Sequence, residues 1–200
     1  MIIVYEAPPS GNAYKVRLLL SLLGQAYESR TVKLAAGEQK SAEFLAMNPL
    51  GQVPVLVDGE TVIRDSQAIL VYLARQYGGA RWWPDDAASH AHIAAWLSTS
   101  ANEVANGLAR LRVHYKFGRP IDVGATHALA LRVLGILEAQ LADQAFLLGS
   151  EVSIADIAMY PYVALAPEAQ LDLSGYTKVL AWFGRIRALP GYVGMEGMWA

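Results

Sequence analysis

The sequence contains no cysteine, and this absence excludes several kinds of chemistry. Without cysteine there is no disulfide framework, no thiolate nucleophile in the protein and no thiolate metal site. If the chain takes part in sulfur chemistry, the sulfur must therefore belong to a ligand. The four histidines also lack the i, i+4 spacing that is typical of metal ligands on a helix, so we expect no metal site.

The sequence also lacks a strong charge of either sign and a long apolar run. Its 16 basic and 18 acidic residues give a formal net charge of −2. This balance disfavours a nucleic-acid partner, because neutralising many phosphates needs a clustered cationic surface. No apolar run reaches the roughly 18 residues that cross a bilayer, and no basic stretch typical of a signal peptide opens the chain. We therefore expect a cytoplasmic protein with no membrane partner.

The pattern of predicted strands and helices changes near residue 78. Residues 1–78 alternate short strand and helix patterns in the order βαβ–α–ββα, which predicts a thioredoxin-like α/β domain with a right-handed crossover. Gly78, Gly79 and Pro84 interrupt this pattern. The rest is rich in alanine and helically periodic, so residues 85–200 are predicted to form an all-α helical bundle domain.

Several features of the second domain can be placed from their spacing. The periodicity predicts helices over about 85–116, 123–143 and 177–189. Ser153 and Asp156 have the spacing of a capping box, for which we expect a structural role. The second helix is predicted to bury one apolar face, formed by Leu129, Val133, Ile136, Leu137 and Leu141. A solvated cationic face is predicted near the end of the first helix, formed by Arg110, Arg112, Lys116 and Arg119. The alternative is a dedicated anion site, with some of these residues bordering the electrophile pocket.

The segment 48–70, NPLGQVPVLVDGETVIRDSQAIL, carries the main functional signal. VPVLV and ETVIR are typical of two strands joined by a tight Asp-Gly turn. Asp65-Ser66 then supplies N-cap residues to a helix. A helix N-terminus has unpaired N–H groups and a partial positive charge, so it would hold a carboxylate beside Ser66. Val53-Pro54 is a place where a cis peptide bond costs little, and it would leave the Val53 backbone free to pair with an extended peptide.

These residues resemble the glutathione-binding half of the glutathione S-transferase family. The resemblance implies a cis Pro54 beside the cysteinyl backbone of glutathione and an acidic-Ser pair, here Asp65-Ser66, at its γ-glutamyl end. Glu-Ser is the commoner pair, and aspartate keeps its charge and capping ability with one methylene fewer. The Ser153-x-x-Asp156 spacing also resembles a helix cap in the second domain of that family. The resemblance therefore covers nearly the whole chain.

The resemblance further implies that the glutathione thiolate is stabilised by a donor in the turn EAPPSGNAYKV. Ser10 matches the activating serine of theta-like and many bacterial members, and Asn12 is the neighbouring donor that other branches use. Either can instead cap the helix expected from Ala13 to Leu23. Tyr5 is a rival donor, since some branches use a tyrosine at the end of the first strand, but on a buried strand it is more typical of the core.

Other glutathione contacts follow from the same resemblance. Gln39 matches the position that holds the glycine carboxylate, with Lys40 as an alternative, and either can instead be a solvated loop residue. Gln52 would assist at that end. Val53 would pair through its backbone with the cysteinyl residue.

The expected function is a homodimeric glutathione transferase in which the glutathione thiolate attacks an electrophilic, largely apolar small molecule between the domains. Trp82 and Trp83 would lie at the domain junction, and Asn102 or Glu103 would reach across the dimer interface towards glutathione. One alternative is a non-catalytic glutathione-binding or stress-response protein. Another is a glutathione-dependent isomerase, dehalogenase or peroxidase, because these activities share the same first step.

Overall fold

The computed structural model describes residues 1–199, and a four-stranded mixed sheet lies in the amino-terminal part. The sheet has the order β2-β1-β3-β4 and consists of β1 (Ile2–Glu6), β2 (Tyr27–Thr31), β3 (Val55–Asp58) and β4 (Thr61–Arg64). β1 and β2 are parallel and are joined by α1 (Gly11–Leu22), whereas β3 is antiparallel to both of its neighbours. The predicted thioredoxin-like arrangement is therefore confirmed.

Alternation along the strands assigns the two faces of this sheet to different helices. Val4 and Leu56 belong to a large core that includes α1 and α3 (Ser66–Leu73). The neighbouring Tyr5 and Val55 pack on the other face with Phe44, which belongs to α2 (Ala42–Met47). A π-helical turn, Ala74–Gly78, continues α3.

The rest of the described chain is helical, as predicted. The first helix is continuous and comprises α4 (Ala87–Thr99), a π-helical stretch (Ser100–Ala109) and α5 (Arg110–Phe117). Asp86 caps its beginning by accepting a hydrogen bond from the Ser89 N–H at 2.8 Å. Gly118, in the left-handed conformation, ends it.

Three further helices complete the bundle: α6 (Val123–Gln140), α7 (Ile154–Ala164) and α8 (Thr177–Arg187). The predicted capping box at the start of α7 is confirmed, with Asp156 accepting from the Ser153 N–H at 2.9 Å. Asp156 also accepts from the indole N–H of Trp182 at 3.0 Å, which ties α7 to α8. Within residues 1–199, no helix is both long and apolar enough to span a bilayer.

The larger of the two apolar cores connects the sheet to the bundle, because α1 packs against α3 on one side and α7 on the other. Trp82 is buried in this core and Trp83 stacks on His90 with ring centroids 4.5 Å apart. The beginning of α1 therefore lies where the α/β part meets the helical part.

Two packing predictions are wrong. Ile136 is 47% exposed, because α6 packs against the π-helical stretch and α8 along a narrower stripe than its apolar residues span. Arg112 is only 3% exposed instead of solvated, because its guanidinium turns inward to a carboxylate, that of Glu168, and to the main chain of the β1–α1 turn. In addition, α6 ends at Gln140 and not near Asp143.

Candidate active site

An open groove lies where the start of α1, the loop before β3 and the start of α3 meet. Its volume is only about 30 Å³, which is too small to enclose a ligand of several residues. It brings together six of the residues singled out from the sequence: Asn12, Gln52, Val53, Pro54, Asp65 and Ser66. Asn48, Leu50 and Arg64 also line it.

The loop before β3 is shaped by the buried amide of Asn48. This amide donates to the Gln52 carbonyl at 2.7 Å and accepts from the Leu50 N–H at 3.1 Å. The Val53–Pro54 peptide bond is cis, as predicted. Within residues 1–199 the main chain of Val53 makes no hydrogen bond, so its N–H and C=O can pair with an extended ligand.

The start of α3 is built to hold negative charge. Asp65 caps it by accepting from the N–H groups of Gln67 at 2.8 Å and Ala68 at 3.2 Å. Asp65 has a left-handed φ of 75°, which costs a non-glycine residue about 1–3 kcal/mol and is typical of functional sites. Ser66 is the first helical residue, and an α-helix leaves the N–H at this position unpaired. The N–H and the helix dipole together favour a carboxylate beside Ser66.

The start of α1 carries the two predicted donors. Ser10 caps the helix, because its Oγ accepts from the Ala13 N–H at 3.2 Å. A hydroxyl that accepts in this way still has its own O–H to donate, so capping does not use up its hydrogen-bonding capacity. Asn12 lines the groove, whereas Ser10, two residues earlier in the sequence, is not among the lining residues.

Tyr5, the rival donor, lines a separate cavity of about 340 Å³ that shares no residue with the groove. Its hydroxyl accepts from Arg30 Nη1 at 2.8 Å, and its ring packs edge-on against Phe44. Tyr5 is half-buried against the smaller core cluster, which agrees with the expectation of a packing role.

Gln39 and Lys40 lie next to one end of the groove. Lys40 Nζ donates to the Leu50 carbonyl at 3.2 Å. The Gln39 carbonyl lies so close to Gly51 that a Cβ there would be 2.8 Å from it, and Gly51 has a φ of 60°. The side-chain oxygen of Gln39 is buried and has no hydrogen-bond partner among the described residues. That oxygen can only accept a hydrogen bond, so the NH₂ group of Gln39 is the part of the side chain that could donate to a ligand carboxylate.

Two cations near the site were not singled out as site residues from the sequence. Arg64 is exposed at the end of β4 and adds a positive charge to the groove; its place directly before the Asp-Ser cap is the signal that could have found it. Lys15 is 1% exposed on α1, and its Nζ donates to Ser100 Oγ at 3.1 Å. Burial lowers the pKa of Lys15 to about 7, and the charge of Asp65 opposes this shift. No cluster of three His, Asp or Glu side chains able to hold a metal ion occurs within residues 1–199.

Comparison with known proteins agrees with this geometry. Residues 1–75 match the family model of the glutathione S-transferase N-terminal domain, and residues 121–190 match that of the C-terminal domain. The chain is 33% identical to glutathione S-transferase 3 of Zea mays over 94% of its own length and 90% of the relative's. It is 31% identical to a probable maleylacetoacetate isomerase of Vibrio cholerae, over 96% and 93% of the two lengths. Among solved structures, a glutathione S-transferase from Pseudomonas fluorescens superposes with a TM-score of 0.91 at 33% identity and 98% coverage of both chains.

Proposed function

This chain belongs to the glutathione S-transferase family, a family of enzymes that use glutathione as co-substrate, and we propose that it transfers glutathione to an electrophilic, largely apolar small molecule. The observation that carries the proposal is the groove, which combines an unpaired strand edge at Val53 with an anion-binding helix start at Ser66. An extended peptide with a carboxylate at one end would use both features, pairing its main chain with Val53 and placing that carboxylate at Ser66.

In this proposal glutathione lies extended along the groove. Its cysteinyl residue pairs with the main chain of Val53, and its γ-glutamyl carboxylate accepts from Ser66 at the start of α3. Asp65 lies beside the γ-glutamyl ammonium group, because a carboxylate favours a neighbouring cation. Gln52, with Gln39, holds the glycine carboxylate at the other end.

The thiol is then activated by a donor at the start of α1. A free thiol with a pKa near 8.5 is only a few per cent ionised at neutral pH, and the thiolate is the nucleophile. A hydrogen bond to a charged group contributes about 1.5–3 kcal/mol, and about 1.4 kcal/mol moves a pKa by one unit. One hydroxyl or amide donor is therefore sufficient. We assign this role to Ser10, with Asn12 as the second donor.

The test combines calorimetric titration of glutathione with a conjugation assay on a chlorodinitrobenzene-type electrophile. We expect Ser10→Ala to lower turnover by about 10–100-fold, the equivalent of one lost hydrogen bond to the thiolate, with little change in glutathione affinity. Ser41→Ala is the matched control, because Ser41 Oγ caps α2 at the same 3.2 Å.

Three results would contradict the proposal in different ways. Wild-type protein that binds no glutathione would contradict the site. Binding without turnover on several electrophiles would favour a non-catalytic glutathione-binding protein. Full turnover in Ser10→Ala would move the activating role to Asn12.

An isomerase is the second candidate, because one of the relatives is named a probable maleylacetoacetate isomerase. The two reactions differ in what happens to glutathione. A transferase consumes the thiol, whereas an isomerase adds it to a double bond and releases it again after rotation. Titration of the free thiol remaining after turnover of a cis-unsaturated diketo acid therefore separates them.

A homodimer is part of the same proposal. A groove of about 280 Å³ between α4 and α6 is lined by five apolar side chains, including Trp96 and the exposed Ile136, and by the polar side chains of Thr99, Glu103 and Arg132. Exposed apolar surface of this kind is typical of a protein interface. Light scattering of the purified protein tests it, and a monomeric mass would contradict it.

A further inference from the structure

The buried side chain of Arg112 connects the helical part of the molecule to the turn that carries Ser10. Its Nη1 donates to the Pro9 carbonyl at 2.9 Å across 103 residues of sequence. Its Nε donates to the carboxylate of Glu168. In the part of the chain that the structure describes, Nη2 has no hydrogen-bond partner.

The turn between β1 and α1 combines one internal main-chain hydrogen bond with contacts from two arginines, Arg17 on α1 and Arg112 on α5. Pro8 and Pro9 have no N–H groups, so Ser10 supplies the first N–H after Ala7 that can close the turn. Arg17 Nη2 also donates to the Pro8 carbonyl at 3.4 Å. The peptide group between Pro9 and Ser10 is held at both ends: the Ser10 N–H donates to the Ala7 carbonyl at 2.9 Å, and the Pro9 carbonyl accepts from Arg112. Because a peptide group is planar, fixing both ends also fixes the Cα of Ser10.

The buried positive charge of Arg112 is neutralised by the carboxylate of Glu168. Burial raises the pKa of Glu168, but hydrogen bonds from Lys116 and Arg112 outweigh that effect and leave the pKa below its ordinary value. The carboxylate therefore stays ionised at neutral pH. Gly197 packs against it so closely that any side chain at that position would overlap Glu168. Glu168 thus has little room to turn away from Arg112.

We propose that Arg112 is a positioning residue for thiol activation, holding the Pro9–Ser10 peptide so that the Ser10 hydroxyl faces the glutathione sulfur. This inference rests on the proposed function. Arg112 does not line the glutathione groove, whose residues come from Asn12 and from positions 48–66. Loss of its guanidinium should therefore disturb the thiol more than the binding of the peptide.

The test compares Arg112→Gln with Arg110→Gln, which removes an exposed arginine from the same helix. Three quantities are measured: glutathione affinity by calorimetry, the pKa of the bound thiol by the ultraviolet absorbance of its thiolate, and kcat with a chlorodinitrobenzene-type electrophile. We expect Arg112→Gln to lower kcat by about 10–100-fold, since a displacement of about 1 Å can cost that much, and to raise the bound-thiol pKa. Glutathione affinity should change far less, and Arg110→Gln should match the wild type in all three.

The results separate this inference from the function on which it rests. Wild-type protein without glutathione binding would contradict the proposed function. An active wild type together with an Arg112→Gln variant of lower stability but unchanged bound-thiol pKa would overturn the positioning role alone. If Arg112→Gln does not fold, Arg112→Lys replaces it, because lysine keeps a charge against Glu168 but lacks the fork that reaches Pro9 at the same time. The pKa of the bound thiol is then measured in Arg112→Lys, and a value equal to that of the wild type would overturn the positioning role.

Discussion

Two buried cations cross the junction between the α/β part and the helical part in opposite directions. Lys15 extends from α1 to Ser100 in the helical part, and Arg112 extends from α5 to the turn before α1. Arg112 contacts a carboxylate, that of Glu168. Lys15 contacts a hydroxyl and lies 5.5 Å from the centroid of the Tyr162 ring.

The difference follows from the chemistry of the two side chains. Arginine keeps its charge at any ordinary pH, so a buried guanidinium needs a counter-ion. Lysine can lose its proton, and burial lowers the pKa of Lys15 to about 7. The contact of Arg112 is therefore held by a charge pair with Glu168, whereas the contact of Lys15 with Ser100 tolerates a neutral amine.

The largest effect is expected from removing the counter-ion of Arg112. Glu168→Ala should lower the free energy of unfolding by about 3–5 kcal/mol, because it leaves a buried guanidinium unpaired. Urea denaturation measures this loss. Lys116→Gln is the control: Lys116 also pairs with Glu168 but is one-third exposed, so its loss should cost less than about 1 kcal/mol. Equal losses in the two variants would show that Arg112 does not depend on Glu168.

Lys15 and Gly11 of α1 both lie against the ring of Tyr162. This contact can be disturbed without changing Arg112 or Glu168. A Cβ at Gly11 would lie 2.8 Å from the Tyr162 ring. We expect Gly11→Ala to lower the free energy of unfolding by about 2 kcal/mol, because the ring or α1 must move. Gly184→Ala on α8 is the matched control, since a Cβ there meets no atom within 4 Å and alanine should stabilise the helix by about 0.5–1 kcal/mol. Two changes of the same sign in urea denaturation would contradict the close packing at Gly11.

The parts of the site that were predictable from the sequence have local causes. The Asp-Gly turn, the cap at Asp65 and the cis bond before Pro54 each depend on two or three neighbouring residues, and all three are present. The capping box of α7 is equally local. The element order along the chain was enough to predict the thioredoxin-like sheet and the bundle that follows.

The contacts between the two parts could not be predicted in this way. Arg112 and Pro9 are 103 residues apart, and Lys15 and Ser100 are 85 apart. Helical periodicity shows which residues share a face but not what that face meets, so Arg112 fitted a solvated cationic stripe. The same limit explains Ile136, which fits the apolar stripe of α6 but lies beyond the surface that the other helices cover.

The smallest effect tests whether Lys15 is the cation that loses its proton. An unfolded lysine has a pKa near 10.4, so above pH 7 the unfolded chain binds more protons at Lys15 than the folded protein does. This site should therefore raise the free energy of unfolding by about 1 kcal/mol between pH 7 and pH 8. Lys15→Met should remove that rise, while the Ser100 hydroxyl keeps its hydrogen bond to the Ala158 carbonyl. Urea denaturation at the two pH values measures the slope, and exposed Lys178→Met should keep it. If wild type and Lys15→Met have the same slope, Lys15 stays charged when buried, and the contrast with Arg112 fails.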